Sequence, residues 1–119
     1  MGVNAIYEKE IVHRDININN VMLHFPDLEP SEEELQDPAL LLHLEALKKK
    51  KLQNLANENF QVKLVDFGLA CRLAHGDKAT IPCGTREVIA PEALMNCGEV
   101  RSNRLSSGYD HRVDVWGVG

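Results

Sequence analysis

The chain is poor in cysteine, and the little it has is badly placed for cross-linking or metal binding. Its three cysteines, Cys71, Cys83 and Cys97, form no C-x-x-C pair, which speaks against a disulfide framework or a cysteine-ligated zinc site and for free thiols in a reducing, intracellular setting. Positive charge is not in excess. Thirteen Lys and Arg against eighteen Asp and Glu leave a net charge of -5, which disfavours a broad phosphate-binding surface and hence nucleic acid as a partner. Apolar runs stay well short of a membrane span, and "MGVNAIYEKE" has neither the basic start nor the apolar stretch of a secretory signal. Aromatic residues are few, but 44% of the 119 residues are hydrophobic, enough for one globular unit without a tail of biased composition.

What is present begins with short apolar runs rich in β-branched residues, "IVHRD" and "VMLHF", and continues with "FQVKLVDFG", where Val62 and Leu64 alternate with Lys63. These predict strands flanking a functional loop. Between them lies "DLEPSEEELQDPALLLHLEALKKKKLQNLANEN". Asp37 then Pro38 is an N-cap followed by an N1 proline, and Leu40, Leu41, Leu44, Leu47, Leu52 and Leu55 recur at helical spacing, so a helix is predicted from about Pro38 to about Leu55. Its acidic start and its Lys48 to Lys51 end suit the helix dipole. Ser31 with Glu34 makes a capping-box pattern before it. A polar segment runs from "DFG" to Pro91, then a short helix is expected at "PEALMNC" and the start of a buried helix at "HRVDVWGVG".

Four motifs now stand in one order: "HRD" with Asn20 five residues past the Asp, "DFG" at Asp66 to Gly68, "APE" at Ala90 to Glu92, and "VDVW" at Val113 to Trp116. In that order they resemble the protein-kinase catalytic domain over nearly the whole chain, where one such tripeptide alone would be weak. "CRLAHGDK", followed after four residues by "CGT", is similar to the calcium/calmodulin-dependent group and especially to phosphorylase kinase catalytic subunits, and the "GY" before "VDVW" points the same way. "NNVML" resembles a branch of the NimA-related kinases, so the subgroup stays open. The implied fold is α+β and kinase-like: a mainly helical fragment of the carboxy-terminal lobe, with a short antiparallel strand pair from "VML" and "QVKLV" and a helical insert. Residues 1–119 would run from the end of helix E to the start of helix F of that family, with 27–59 as the insert between the strands.

The resemblance implies the transfer of the ATP γ-phosphate to a serine or threonine hydroxyl of a protein, with Mg2+ as cofactor. Asp15 would accept the proton of the substrate hydroxyl, Asn20 would hold one Mg2+, and Asp66 would bind Mg2+ bridging the phosphates. Against each stands the plain alternative of a turn residue bonded to nearby backbone. His13 is expected to be a packed structural residue, and Asp114 is structural by the same resemblance. Arg14 would, in many kinases, pair with an activation-loop phosphate. The usual phosphosite position here is Ile81, which has no hydroxyl; Thr80 is the nearest one, with an ordinary loop threonine as the alternative.

The departures from the pattern carry as much weight. Asn17 stands two residues beyond Asp15, where serine/threonine kinases usually have a lysine that neutralises the transferring phosphate; an amide donates hydrogen bonds but brings no charge. Thr85 matches the threonine that normally bonds that lysine and the catalytic Asp, so its set of partners is expected to shrink. Arg86 and Val88 replace a proline and an aromatic residue, and the surface for the substrate's neighbouring residue is not readable. Only twelve residues precede His13, so the glycine-rich loop and its lysine are expected elsewhere than in this stretch. Glu92, whose usual arginine comes from later helices, is expected to be solvated or unpaired, and Val113, Val115, Trp116 and Ile89 to lose packing partners.

Three readings follow: part of an active kinase, a degenerate pseudokinase or interaction module without catalysis, and an insert helix that docks in a protein partner's groove. Asp15, Asn20 and Asp66 argue for the first. Against the third stands an insert that packs back on the lobe or projects into solvent. The expected location is cytoplasmic; four lysines ending a helix are a weak match to a nuclear import signal.

Overall fold

The computed structural model describes residues 2–95 and 108–119. Cys97, the end of the expected "PEALMNC" helix and the polar stretch as far as residue 107 lie outside the described residues. The chain divides into two compact units, one made of residues up to Met22 together with Leu64 onward, the other of Leu23–Lys63.

The first unit opens with a short helix, α1 (Gly2–Tyr7), and turns at Glu10, whose φ of 56° is left-handed, into β1 (Ile11–Val12). β1 pairs antiparallel with β4 (Cys71–Arg72), Ile11 opposite Arg72 and Val12 opposite Cys71. Two-residue strands are too short to show an alternating pattern, and β4 was not expected from the sequence. The pair sets Val12 and Leu73 into a cluster with Ala90, Ala93, Tyr109 and Val113, against which Cys71, Ala79 and Ile89 pack. Ala93 is the buried residue of α3 (Pro91–Met95), and Val113 and Asp114 are those of α4 (Arg112–Val118). Val115 and Trp116 point outward, 64% and 55% exposed, as the sequence suggested, whereas Val113 and Ile89 keep their packing. α4 runs so close to the loop after β1 that a Cβ on Gly117 would lie 2.5 Å from the Ile16 carbonyl oxygen, a contact only glycine allows.

The second unit carries half of β2 (Val21–His24) and most of β3 (Gln61–Leu64), which form a two-stranded sheet. The residues between them are ordered by local capping. Ser31 and Glu34 exchange bonds reciprocally, Ser31 N–H to the Glu34 carboxylate at 2.8 Å and Glu34 N–H to Ser31 Oγ at 3.3 Å. The Asp37 carboxylate accepts from Ala39 N–H at 2.9 Å and starts α2 (Pro38–Leu52) with Pro38 in its first turn. The acid is thus the cap itself; the first turn contains none, while Lys49, Lys50 and Lys51 occupy the last turn. α2 stops three residues short of the predicted end, because Asn54 leaves helical geometry and bonds Asn57 instead, the local competition typical of asparagine. Leu41, Leu44 and Leu47 are half-buried at helical spacing, and Leu40 and Leu42 are exposed.

Lys51 differs from the lysines before it. Its ammonium pairs with Asp27 at 2.7 Å and with Glu58, and lies 5.7 Å from the ring centre of Phe25, the buried side chain that also packs on Phe60. These contacts tie Asp27 and Glu58 to the last turn of α2.

Candidate active site

The loop from His13 to Asn20 leaves β1 with Arg14 at φ 70°, a left-handed conformation costing a non-glycine residue about 1–2 kcal/mol. What holds it there is Asp114. The left-handed turn aims two consecutive amides the same way, and the carboxylate of Asp114 accepts from His13 N–H at 2.7 Å and Arg14 N–H at 2.8 Å. Asp114 is 2% exposed; burial pushes its carboxyl above the ordinary value, and the two amides pull in the opposite direction without cancelling the shift.

His13 is completely buried. Its Nε2 lies 3.1 Å from the Val65 carbonyl, its Nδ1 faces Asp15 N–H at 3.4 Å, and its ring meets Phe67 edge-on at 4.8 Å. A ring that donates at Nε2 and accepts at Nδ1 satisfies both contacts.

The Asp15 carboxylate is the focus of the loop. Oδ1 accepts from Thr85 N–H at 2.8 Å and from Asn17 Nδ2 at 3.1 Å, and Oδ2 accepts from Asn20 Nδ2 at 3.0 Å. Burial alone pushes this carboxyl up, but hydrogen bonds from Thr85, Asn17 and Asn20 outweigh it and hold Asp15 below the ordinary carboxylate value. The loop asparagines also organise the backbone: Asn17 Oδ1 caps a 3-10 turn over Ile18–Asn20 through Asn19 N–H at 2.9 Å.

Asn17 Nδ2 lies 3.3 Å from Thr85 Oγ1. The expected thinning of the partners of Thr85 therefore does not occur. The amide makes the hydrogen bonds to Thr85 and Asp15, and what the position lacks is positive charge alone.

Asn20 and Asp66 are brought near each other through the backbone, since Val65 N–H donates to the Asn20 carbonyl at 3.0 Å. Asp66 adopts φ 60° and caps a 3-10 turn over Phe67–Leu69, its Oδ1 accepting from Gly68 N–H at 3.1 Å. Among the described residues, the side-chain bonds of Asn20 all use Nδ2, leaving its Oδ1 to accept, and Asp66 Oδ2 is likewise without a hydrogen bond. An amide oxygen and a carboxylate oxygen are the hard donors Mg2+ prefers. No group of three or more His, Cys, Asp and Glu placed for a metal occurs among the described residues.

Arg14 bonds neither Thr80 nor another hydroxyl of the 79–85 segment among the described residues. Its Nε donates to the Leu69 carbonyl at 2.6 Å and its Nη1 to the Tyr109 hydroxyl at 3.4 Å, while Thr80 is exposed. Glu92 is half-buried and its charge acts on Arg112, which corrects the expectation that it would be solvated or unpaired. Tyr109, read in the sequence only as a subgroup marker, is the residue that sequence reasoning missed. It is 2% exposed, pairs with Ala79 through both backbone groups, and donates its hydroxyl to the Ile81 carbonyl. The only signal for it was the preceding glycine: Gly108 has φ 65°, and a Cβ there would lie 2.7 Å from Lys78 Cβ.

A buried acid thus organises the loop, an amide-bound carboxylate lies at its centre, and a second acid is brought alongside. The protein kinase domain model matches residues 1–119, and the chain belongs to that family. Among individual proteins it is 27% identical over 118 residues to the liver/testis phosphorylase b kinase gamma catalytic chain of Rattus norvegicus, covering 99% of this chain and 20% of that one. It is 31% identical over 110 residues to the serine/threonine-protein kinase cds1 of Schizosaccharomyces pombe, covering 88% and 23%. Over 69 residues it is 42% identical to a probable serine/threonine-protein kinase PLK of Dictyostelium discoideum, 58% of this chain and 6% of the other. The chain thus spans less than a quarter of the length of each of these relatives. No helix among the described residues is long and apolar enough to cross a membrane.

Proposed function

We propose that the chain is the central part of the carboxy-terminal lobe of a serine/threonine kinase domain, and that in its full-length context it supplies the residues for moving the ATP γ-phosphoryl group to a protein hydroxyl. The observation that carries this is the state of Asp15. With its pKa held low, the carboxylate is ionised at neutral pH, and among the described residues the side-chain amide that reaches Oδ2 is that of Asn20 at 3.0 Å. A spare lone pair therefore remains to accept the hydrogen bond, and then the proton, of a substrate hydroxyl. Thr85 and Asn17 fix the other oxygen, so the carboxylate is oriented before substrate arrives.

Asn20 Oδ1 and Asp66 Oδ2 are the atoms proposed to hold Mg2+, which when bound neutralises charge on the phosphates. Phosphoryl transfer asks the protein mainly for position and charge, and this loop supplies the position. Asn17 makes the hydrogen bonds of its site without the charge, so the transition state should be less stabilised than with a lysine there. That same missing cation favours a second reading, a non-catalytic kinase-like module.

Two measurements test the proposal. In the 119-residue chain, Mn2+ with ATP should broaden the NMR signals of Asn20, Val65 and Asp66 ahead of those elsewhere; broadening with no preference for these residues would remove the metal assignment. In the full-length protein, Asp15→Asn should abolish most transfer. An active Asp15→Asn protein would withdraw the catalytic reading.

A further inference from the structure

Two stretches distant in sequence converge on Asp15: its own loop, and the segment 79–85 that delivers the Thr85 amide. The Asp15–Thr85 bond is only as well placed as that segment, and residues 79–83 contain neither helix nor named strand. We infer that Tyr109 is a positioning residue for Asp15: its hydroxyl ties the Asp15 loop, through Arg14, to segment 79–85, through Ile81 and Cys83, and needs no phosphate to do so. The inference rests on reading Asp15 as the proton acceptor.

A tyrosine hydroxyl has one proton and two lone pairs. Here the proton goes to the Ile81 carbonyl, one lone pair accepts from Arg14 Nη1 at 3.4 Å, and the Cys83 thiol lies 3.8 Å away. Burial and Cys83 push the hydroxyl above its ordinary pKa, against the pull of Arg14, so it stays a neutral donor. The ring cannot drift, because Tyr109 N–H and C=O both pair with Ala79, at 2.9 and 2.8 Å.

From Cys83 to Thr85 is two peptide steps, about 7 Å of chain. The residue between them, Gly84, has φ 114°, and a Cβ there would lie 2.6 Å from the Arg14 carbonyl oxygen, so the segment is pressed against the Asp15 loop where the clamp acts. A phosphate on Thr80 would not find Arg14 idle, since its Nε is bound to Leu69 and its Nη1 to Tyr109. The geometry points to an activation segment ordered by an uncharged hydroxyl.

The test removes one oxygen. In Tyr109→Phe the ring and the backbone pairing with Ala79 remain, and hydrogen exchange at Thr85 N–H should quicken by about tenfold, the worth of one hydrogen bond. The amides of His13 and Arg14, bound to Asp114, and of Val65, bound to Asn20, should keep their parental rates. Thr80→Ala should leave Thr85 unchanged. Equal acceleration at all these amides would mean that Tyr109 is merely structural, and no change at Thr85 would overturn the inference outright. Should the Phe variant fail to fold, the parent decides: its Tyr109 hydroxyl proton should give a slowly exchanging NMR signal close to Ile81, and its absence would sink the clamp. These readings use neither nucleotide nor substrate. A failed kinase reading, seen as an active Asp15→Asn protein, is therefore distinguishable from a failed clamp.

Discussion

Residues up to Met22 with those from Leu64 onward bury Val12, Ile16, Leu73, Ala90, Ala93, Tyr109 and Val113 and, among them, the polar His13, Asn20 and Asp114; residues 23–63 bury Phe25 alone among the described residues. The first unit uses its interior for two purposes, since the apolar cluster supplies stability while the buried polar side chains shape the loop that carries Asp15. The second unit rests on caps at the ends of α2 and on one lysine between two acids. A long connection of this second kind is cheap, because closing a longer loop costs little extra entropy and the local caps organise it without a large core of its own. Position in the protein, rather than composition, thus separates a charge that is structural and replaceable from one on which the site depends.

The comparison can be broken most decisively at Asp114. Asp114→Ala leaves two amides of a strained loop without an acceptor and should cost about 2–5 kcal/mol, since each buried donor left unsatisfied costs about 1–3 kcal/mol, read as a lower denaturant midpoint. Hydrogen exchange should then quicken through the first unit while amides within 23–63 are affected little. Uniform loosening of both units would show that the division is one of description only.

Acid should act on the first unit with two opposite signs. Asp15 and Asp110 have folded pKa values below the ordinary 3.8, the first through Thr85, Asn17 and Asn20 overcoming burial, the second chiefly through Arg112 and Lys78. Their contribution is present above 3.8 and is lost as pH falls through the depressed folded values. Asp114 is raised, so its ionisation costs stability as pH rises from 3.8 through its folded value. Compared with Asp114→Asn, the parent should therefore lose relative stability with rising pH across that window; a flat difference between the two titrations would contradict the burial cost.

The smallest effect is expected at Lys51. Lys51→Met should quicken exchange at the amides near Asp27 and Glu58, and in the parent about 1 M salt should imitate part of that change by screening the exposed pairs. The same salt should leave the amides of His13 and Arg14 unaffected, because their acceptor is buried. Salt sensitivity at His13 and Arg14 would erase the contrast between the units.

Much of this was legible in one dimension. The four motifs named the family, Asp37-Pro38 located the start of α2, and Ser31 with Glu34 located a capping box, because each depends on residues a few positions apart. The end of α2 was overrun, since leucine spacing continues to Leu55 while the asparagine that ends the helix leaves no mark on that spacing.

Contacts across the chain were beyond such reading. The sequence by itself determined which side chains could accept a proton, offer an oxygen to a cation or cap a helix, for those are properties of the residue and its near neighbours. Only the tertiary structure decided that Asn17 reaches Thr85, 68 positions away, that Asp114 holds a loop 100 and 101 positions before it, and that Tyr109 reaches Arg14, 95 positions before it. Hydrogen bonds act over about 3 Å whatever the separation along the chain, and packing of the core around Val12, Leu73 and Val113 is what brings those groups within range.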